Sequence, residues 1–307
     1  MKSPVHLNAL KAFEASARHQ SFSAAAAELN VTPAAVGQLV RTLEDWLGTP
    51  LFTRGSSGRV RLTLTDVAER ALPDIQAGFD RLSLGVERLR EASTTGVLTV
   101  AVSPAFAAKW LLPRIERFQQ VCPETDVRLD TNLKPVDFVG QQIDIGVRYG
   151  AGKWPGLAAE KLMDEEVYPV CSPRLLMDHW RLQSPSDLGQ EMLIHDLSMD
   201  SHTGFPTWQA WFVCVGLPDL VSNRGMKINN SAAVLQAAIE GHGIALARSV
   251  MVHDDLASGR LVRLFPEISF QSPLAYYAIY RQDCASLPRL KRFRDWLFSE
   301  AAEQSQR

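Results

Sequence analysis

The sequence predicts an α/β protein that carries a small, mainly helical domain at its N-terminus, and three features predict it. Residues 5–63 show helical apolar spacing and helix-capping residues, and residues 64–92 keep a heptad repeat of apolar side chains. Residues 93–307 alternate apolar strands with helices. At 307 residues the chain is long enough for two or three domains.

The composition is that of a soluble globular protein, with 46% hydrophobic residues, 21% charged residues and a formal net charge of −2. No stretch reaches the roughly 18 apolar residues of a membrane span, and residues 1–7 lack the apolar segment of an export signal. We therefore expect a cytoplasmic protein with no membrane partner. The four cysteines and seven histidines show no metal-ligand spacing, so we expect reduced thiols, no metal and no cofactor. A redox pair of Cys171 and Cys214 stays open.

The near-neutral total charge conceals a basic N-terminal region. Residues 1–62 hold seven Lys or Arg against four Asp or Glu, a net charge of +3, so the rest of the chain carries −5. A basic region joined to an acidic body suits a region that contacts phosphate.

The stretch over residues 30–48 predicts a helix that reads DNA. Thr32 is a good N-cap, Pro33 occupies the first helical position, and Gly48 is a typical helix stop. An apolar stripe faces the core through Val36, Val40, Leu43 and Leu47. The opposite face carries Ala34, Gly37, Gln38, Arg41 and Asp45. Small residues, an amide and an arginine fit a DNA major groove, whereas an ordinary surface helix is the alternative for this segment alone.

The neighbouring segments favour a winged helix-turn-helix. One helix ends near His19, Ser21 or Ser23 caps a second over 24–29, and only two residues separate that helix from Thr32. Residues 51–64 then predict a β-hairpin wing around a Gly/Ser turn, with cations at Arg54, Arg59 and Arg61 that can reach phosphates or a minor groove. A small interaction module and a solvated basic hairpin are the alternatives.

These motifs together resemble the LysR-type transcriptional regulators, in particular the glycine-cleavage-activator-like subgroup. The resemblance covers the whole chain and rests on Leu7–Ala15, Ser21–Ala26, Val31–Val36, Leu43–Gly48, Leu51–Arg54 and Leu62–Thr65. The family usually has Ser where this chain has Gly37, and Arg or His where it has Gln38. Asp66-Val67 also replaces the small pair that usually follows the threonine. A typical family operator should therefore not be assumed.

The resemblance implies DNA contacts from Thr32, Pro33, Ala34, Gly37 and Gln38, with Arg41 nearby and Arg54 from the wing. Physically, an amide such as that of Gln38 can pair with an adenine edge for roughly 1–3 kcal/mol of discrimination. The helix starts at Ser23 and Thr32 are placed for phosphates, as is Arg59 on the wing.

The segment after the wing predicts one long helix. Its apolar residues follow a heptad from Ala68 through Leu72, Ile75, Phe79, Leu82, Val86 and Leu89. A helix docked on its own domain can show this pattern, but a strict 3.5-residue period favours a dimer seam. A dimer implies a pseudo-palindromic DNA site, and residues 91–96 then predict a hinge.

The remaining residues predict strands near Val97–Val102, 127–129, 143–147, 167–170, 192–194, 243–247 and 275–280, with a helix over 106–121. The resemblance implies two Rossmann-like lobes with a cleft between them, similar to a periplasmic binding protein. We expect lobe I at about 97–168 and 269–307, and lobe II at about 169–268. The chain should cross near Tyr168 and return near Ser269.

Ligands of open α/β sheets bind beyond the carboxyl ends of strands. That rule selects Ser103, Pro104, Phe106, Thr131, Arg148, Tyr149, His195, Asn230 and Ser231. The family resemblance places an effector contact at Ser103. Three alternatives stay open: Ser231 caps its helix, Arg148 pairs with Asp144 or Glu166, and His195 is structural.

No motif of a hydrolase, metalloprotease or nucleotide-binding enzyme is present in the sequence, so we expect no enzyme. The preferred function is that of a sequence-specific DNA-binding transcriptional regulator controlled by a small-molecule effector. We expect a homodimer or homotetramer, with RNA polymerase as a further partner. Subgroup resemblance favours an amino acid or small carboxylate as effector. A solute-binding or transport component and an enzyme with an unfamiliar site are the alternatives.

Overall fold

The computed structural model describes residues 6–53, 62–90, 96–138, 140–178, 182–199, 201–220 and 224–305. The chain divides into two compact units, Met1–Arg90 and Glu91–Arg307. Within the described ranges, no helix combines the length and apolar character that a membrane crossing requires.

The N-terminal unit begins with three helices, α1 (Leu7–His19), α2 (Phe22–Leu29) and α3 (Pro33–Leu47). Ser21, rather than Ser23, caps α2, because its hydroxyl accepts the N–H of Ala24 at 3.3 Å. Asn30 ends α2 in the left-handed region, and Thr32 caps α3 by accepting the N–H of Ala35 at 3.2 Å. The end of α2 at Asn30 and the start of α3 at Thr32 therefore form the short turn of a helix-turn-helix.

The core of this unit is built from alanines and a few large side chains. Phe13 and Val36 are fully buried, and Val40 and Leu43 are almost so. The predicted apolar stripe is wrong at Leu47, which is 45% exposed. This residue is the last of α3, where the core of the unit no longer covers it.

A two-stranded sheet follows α3. Strands β1 (Phe52–Thr53) and β2 (Thr63–Leu64) pair antiparallel, which forms the base of the predicted wing hairpin. The Glu44 carboxylate accepts the N–H groups of Leu51 and Phe52 at 2.7 and 3.3 Å, so α3 orients this hairpin directly. The turn and its predicted cations, Arg54, Arg59 and Arg61, lie outside the described residues.

The long helix α4 (Asp66–Arg90) splits the predicted heptad seam into two parts. Ala68 is fully buried, and Leu72 and Ile75 pack against the core of the N-terminal unit. These three positions therefore serve intramolecular packing, contrary to the predicted dimer seam, because α4 crosses its own three-helix core first. Leu82 and Val86, further along, are 51% and 49% exposed, and Phe79 is half-buried. The structure does not describe the side chain of Leu89.

The C-terminal unit contains strands and helices in alternation. Its strands are β3 (Gly96–Val102), β4 (Thr125–Thr131), β5 (Ile145–Gly150), β6 (Ala158–Met163), β7 (Glu166–Cys171), β8 (Leu193–Asp196), β9 (Lys227–Ile228), β10 (Ile244–Arg248), β11 (Val262–Arg263), β12 (Phe270–Gln271) and β13 (Ala275–Tyr280). Its α-helices are α5 (Pro104–Phe106), α6 (Ile115–Val121), α7 (Pro173–Asp178), α8 (Trp208–Cys214), α9 (Ser231–Ile239), α10 (Ser249–Ala257) and α11 (Pro288–Ser305). Short 3₁₀ helices cover Pro185–Gln190, Ser201–Thr203 and Gln282–Cys284.

These strands form two sheets, one for each lobe. The first has the order β4-β3-β5-β13-β6, and the second has the order β11-β7-β10-β8-β9 with β12 also paired to β7. The chain crosses between Met163 and Glu166 and returns between Gln271 and Ala275. Both crossings differ by a few residues from the predicted ones, because the sequence pattern did not mark β6 or β12. Tyr168 already belongs to the second sheet.

The predicted helix over 106–121 is wrong, because the segment divides into three pieces. Helix α5 runs into a π-helix (Ala107–Leu111), where the N–H of Leu112 bonds to the carbonyl of Ala107 at 2.9 Å, and α6 starts only after a turn. Pro113 has no N–H to continue the helix. The predicted strand over 143–147 begins at Ile145, and Asp144, just before it, bonds to Thr99 on β3 through its backbone N–H and its carboxylate at 2.9 and 2.8 Å.

All four cysteines are free, so the redox pair of Cys171 and Cys214 is not formed in this structure. Cys171 is fully buried, and burial raises the pKa of its thiol to about 12. A thiol with so high a pKa is a poor nucleophile.

Candidate functional site

The N-terminal half of α3 presents the face that the sequence predicts for DNA. Thr32, Pro33, Ala34, Gln38 and Arg41 are exposed, and Gly37 is half-buried. A Cβ added at Gly37 would meet no heavy atom within 4 Å, so packing does not require glycine there. The small side chains of this face leave room for a DNA duplex to approach the backbone of α3.

Two side chains on this face are coupled. Arg41 donates from Nη2 to the Gln38 amide oxygen at 3.4 Å, and the Thr42 hydroxyl donates to the Gln38 carbonyl at 2.9 Å. The second contact is the common i−4 back-bond of a helical threonine. Ser23 is also exposed, in the first turn of α2, because Ser21 takes the capping position.

An ion-pair cluster that the sequence did not reveal joins three helices of this unit. Arg18 donates to Glu14 at 3.0 Å and to Glu28 at 2.7 Å, and Gln76 on α4 donates to Glu14 at 3.2 Å. The hydrogen bond that Arg18 donates to Glu28 is the largest cause of the raised pKa of Arg18. Because Arg18 is already paired with two carboxylates, it adds little to the positive charge of the unit.

The C-terminal unit has a buried cation at the meeting of its lobes. Arg248 ends β10 and is 8% exposed. It donates from Nη1 to the Tyr276 hydroxyl on β13 at 2.9 Å and from Nη2 to the Ser231 hydroxyl at 2.9 Å. Tyr276 belongs to the first lobe, whereas Ser231 and Arg248 belong to the second, so the bond to Tyr276 joins the two lobes.

Aromatic rings surround this guanidinium. Its carbon lies 4.8 Å from the ring centre of Tyr149, 5.4 Å from Phe205 and 6.0 Å from Tyr276. Cation–π attraction of this kind grows when water is excluded. We name Tyr149, Phe205, Ser231, Arg248 and Tyr276 the Arg248 cluster.

A buried carboxyl group, that of Glu165, lies beside this cluster in the first crossing segment. Glu165 accepts the Ser249 hydroxyl at 2.5 Å and the Val250 N–H at 3.0 Å through Oε1, at the start of α10. Its Oε2 is buried without a hydrogen-bond partner among the described residues. Burial raises the pKa of Glu165 to about 7. The returning segment bonds to the same residue, because the Ser272 N–H donates to the Glu165 carbonyl at 2.9 Å.

Several predicted effector residues gather around this cluster. Tyr149 and Ser231 belong to it, and Asn230 caps α9 by accepting the N–H groups of Ala232 and Ala233 at 3.0 and 3.3 Å. Helix α5 contacts α9 from the other lobe. Ser103 caps α5 by accepting the Phe106 N–H at 3.1 Å, and Pro104 is the first residue of α5.

Phe106 has a different surrounding from the predicted one. It is fully buried. Its ring centre lies 4.9 Å from that of Trp110, on which it stacks, and 5.2 Å from that of Tyr276. Its ring therefore supports Tyr276 from the core of the first lobe, and it does not form part of an exposed ligand surface.

Three other predicted residues lie apart from the Arg248 cluster. Thr131 is exposed at the end of β4, the edge strand of the first sheet. His195 bonds through Nε2 to the Arg224 carbonyl at 3.3 Å, and burial lowers its pKa. Arg148 lies on the face of β5 opposite to Tyr149, the face where Gly146 approaches Ile279 and Gly150 approaches Trp154.

Neither predicted ion pair of Arg148 forms among the described residues. Asp144 pairs with Arg289 at 2.9 Å, and Glu166 pairs with Arg263 at 2.7 Å. Arg148 bonds only weakly to the Lys134 carbonyl, at 3.5 Å, and burial lowers its pKa.

Sequence reasoning missed Arg248, Tyr276, Phe205 and Glu165. The strand-end rule was sufficient to find Arg248, because that residue directly follows the predicted strand over 243–247. Phe205 and Glu165 lie in connecting segments, where the sequence carries no comparable signal.

A second contact joins the lobes through α10. Lys109, on the π-helix, pairs with Asp255 at 3.0 Å, and Arg114 pairs with Asp254 at 2.9 Å. Asp255 is 1% exposed. A polar cavity of about 110 Å³ lies beside these pairs and is lined by Pro113, Arg114, Arg117, His253, Asp254, Glu300, Glu303 and Gln304. Among the described residues, no group of His, Cys, Asp or Glu has the arrangement of a metal site.

Comparison with known proteins gives two family matches. The model for the bacterial regulatory helix-turn-helix protein, LysR family, matches residues 7–69, and the model for the LysR substrate binding domain matches residues 91–302. The chain is 38% identical over 301 residues to the glycine cleavage system transcriptional activator of Escherichia coli strain K12, covering 98% of this chain and 95% of that protein. It is 38% identical over 301 residues to the transcriptional activator AmpR of Pseudomonas aeruginosa, covering 97% of each.

Solved structures agree with these matches. The effector domain of Pseudomonas aeruginosa AmpR has a TM-score of 0.57 and 33% identity, covering 68% of this chain and 98% of that one. CrgA of Neisseria meningitidis, at 22% identity, covers 98% of this chain and 99% of its own with a TM-score of 0.53, and this likeness shows the fold alone.

The predicted fold class and function are therefore confirmed. The relatives are transcriptional regulators, which confirms the prediction that the chain is not an enzyme. A DNA-binding helix-turn-helix and an effector-binding domain of two α/β lobes account for both units of the chain. The chain belongs to the LysR family of bacterial transcriptional regulators.

Proposed function

We propose that the chain binds a pseudo-palindromic promoter site as a homodimer or homotetramer in the cytoplasm, with α3 in the major groove. The observation that carries this proposal is the exposed face of α3, which presents small side chains and an amide on a capped helix above a packed core. The proposed contacts come from Ser23, Thr32, Pro33, Ala34, Gly37, Gln38, Arg41, Arg54 and Arg59.

The side chains of this face divide their work. Gln38 reads an adenine edge, and Pro33 and Ala34 offer apolar contact to a thymine methyl group. Arg41 holds the Gln38 amide oxygen and reaches phosphate with its remaining N–H groups. Without the serine and the basic residue that relatives usually carry, this face depends on the wing for most of its positive charge.

Oligomer formation rests on the distal half of α4. Leu82 and Val86 are apolar, about half exposed and one turn apart, so a second chain can cover both. A two-fold symmetric pair of DNA-binding units then matches a site with two similar halves.

The effector binds between the lobes and changes how they close, which alters the spacing of the two DNA-binding units. The proposed contacts are Ser103, Pro104, Tyr149, Asn230 and Ser231, and we leave Thr131, Arg148, His195 and Phe106 out of the site because of where their side chains lie. We take an amino acid or small carboxylate as the effector class. Since both named relatives are activators, RNA polymerase is the proposed further partner.

The decisive experiment measures binding of the full-length protein to the DNA upstream of its own gene and to shuffled DNA of equal length. Fluorescence anisotropy at several salt concentrations gives both affinities. We expect clear preference for the upstream DNA and an affinity that falls steeply with salt. The Asp45→Ala variant, altered at the exposed far end of α3, serves as the control and should keep the preference. Equal affinity for both DNAs would refute the proposal.

A further inference from the structure

Arg248 is a buried cation whose hydrogen bonds go to neutral groups. Its partners at 2.9 Å are two hydroxyls, one from each lobe, and its flat faces meet aromatic rings. Among the described residues, no carboxylate forms a hydrogen bond or an ion pair with Arg248. A buried guanidinium is normally accompanied by a bonded anion, because removing its charge from water is costly.

Two acids act on the charge of Arg248 through space, without a hydrogen bond to it. Glu165 and Asp196 both act on Arg248 electrostatically. However, Glu165 directs Oε1 to the start of α10, and Asp196 accepts the N–H of Ser198 at 2.9 Å. Burial raises the pKa of Glu165 to about 7, so at neutral pH this group is negative for only part of the time. These acids and two tyrosines raise the pKa of Arg248 in spite of its burial, yet among the described residues no carboxylate is bonded to its guanidinium.

We propose that Arg248 anchors a carboxylate group of the effector, and that the two oxygens of that carboxylate replace the Tyr276 and Ser231 hydroxyls on its two Nη atoms. This inference rests on the proposed function, in which the effector binds between the lobes. A guanidinium presents two parallel N–H groups in the geometry that a carboxylate accepts. Exchange of two neutral partners for one charged partner strengthens both bonds, because charge-assisted hydrogen bonds are the stronger kind.

The surroundings favour a singly charged carboxylate over a phosphate. Rings of Tyr149 and Phe205 flank the guanidinium and narrow the space beside it. Glu165 and Asp196 would repel a second negative charge in this low-dielectric position. A hydroxyl pair, Ser198 and Ser231 at 2.9 Å, can serve a further polar atom of the ligand.

The same exchange explains how the ligand acts on the lobes. The bond from Arg248 to Tyr276 joins β10 of the second lobe to β13 of the first. A carboxylate that replaces this bond changes the contact between lobes at the point where the crossing segments also meet, through Glu165 and Ser272. Occupancy of Arg248 and lobe closure are therefore linked.

The test uses the full-length protein and three probes at equal ionic strength: sodium acetate, sodium chloride with acetamide, and sodium phosphate. Thermal unfolding is measured for the natural protein, Arg248→Gln and Arg148→Gln. We expect acetate at about ten times its Kd to raise the Tm of the natural protein by about 2–4 °C over chloride with acetamide. Arg248→Gln should lose this shift, and Arg148→Gln, whose side chain lies on the other face of β5, should keep it.

Three results would overturn the inference. These are an equal Tm in acetate and in chloride with acetamide, an acetate shift that survives in Arg248→Gln, and a larger shift with phosphate than with acetate. If Arg248→Gln does not fold, Tyr276→Phe decides, because it retains the ring and the charge but frees Nη1. Tyr276→Phe should show a larger acetate shift than the natural protein, and an equal or smaller shift would contradict the inference.

DNA binding separates this inference from the proposed function. The preference of the natural protein for the upstream DNA is measured beside its acetate shift. If the acetate shift is absent but that preference persists, the regulator stands and only the anchoring role falls. If the natural protein shows no DNA preference, the proposed function falls whatever acetate does.

Discussion

Tyr149 and Ser231, two residues that the strand-end rule selected, both contact Arg248. The rule finds such residues because an apolar run followed by polar residues marks the end of a strand. It also selected Arg148, whose side chain lies on the opposite face of β5 from its neighbour Tyr149. Sequence position fixes which residues end a strand, but the face that meets the second lobe depends on packing of the whole unit. That packing places Arg248, and not Arg148, over the ring of Tyr149.

The first prediction concerns the different roles proposed for Gln38, which reads a base, and Arg54, which contacts phosphate. Gln38→Ala should reduce discrimination between the natural site and a site with its adenine replaced, by about 1–3 kcal/mol, because only base contacts carry sequence information. Arg54→Ala should weaken binding to all DNA and lower the slope of log affinity against log salt by about 1. Anisotropy titrations on both DNAs measure both effects. Indistinguishable effects on discrimination would show that this division of roles is wrong.

Glu165 gives a prediction about pH. Burial raises its pKa to about 7 from the ordinary 4.5, so the folded chain holds this proton more tightly than the unfolded chain does. Its stabilising contribution is complete below pH 4.5 and is lost as the pH rises through about 7. Glu165→Gln keeps the acceptor for Ser249 and Val250 but cannot ionise. At pH 8 the variant should exceed the natural protein in free energy of unfolding by on the order of 3 kcal/mol.

Urea unfolding of both proteins between pH 5 and pH 8 measures this difference. The gap should shrink steadily as the pH falls toward 5. Glu267→Gln, which alters an exposed carboxyl group, is the matched control and should leave the pH dependence unchanged. A constant gap between natural protein and Glu165→Gln at all pH values would contradict the assigned protonation.

At the scale of elements, caps and apolar periods predicted most of the helices and strands. Helix α3 begins and ends where its capping residues predict, and β13 matches the predicted range in full. The misses have physical causes. Pro113 interrupts a continuous apolar pattern, and β6 mixes Lys161 with apolar residues, so neither boundary follows from periodicity. Helix α4 shows a further limit, since one unbroken heptad serves two different surfaces.

This split of α4 separates folding from assembly. Leu72 packs against the core of its own unit, so Leu72→Ala should destabilise the fold by about 1–3 kcal/mol without direct loss of association. Leu82 is 51% exposed, so Leu82→Glu should leave the fold intact and shift the protein toward monomer. Thermal unfolding and sedimentation velocity measure the two effects. Ala77→Glu, also exposed on α4, is the control and should change neither. Unchanged oligomer size in Leu82→Glu would exclude the distal half of α4 as the interface.

At the scale of the whole molecule, a helical N-terminal unit and an α/β remainder follow from the change in sequence pattern along the chain, and the family resemblance implies that the remainder forms two lobes. The contacts that hold the lobes together do not follow, because they join residues far apart in sequence. Lys109 reaches Asp255 from a π-helix, a local geometry that no simple spacing predicts. The Arg248 cluster likewise draws residues from β5, β10 and β13. Distant pairs of this kind depend on the completed fold.

The last prediction concerns how strongly the α10 contact joins the lobes. The side chains of Lys109 and Asp255 are 16% and 1% exposed, so their attraction is poorly screened, and removal of one leaves the other buried and incompletely paired. A double-mutant cycle with Lys109→Met and Asp255→Asn should give a coupling energy of about 1.5–3 kcal/mol. Lys291 and Asp295, paired at 2.5 Å on α11 but more than half exposed, should give only about 0.3–0.5 kcal/mol. Urea unfolding of the natural protein and the six variants measures both energies. Asp255 also pairs with the exposed Arg260 at 2.6 Å, which places the expected value below that of an isolated buried pair. Equal coupling in both pairs would mean that α10 does not hold the lobes together through this contact.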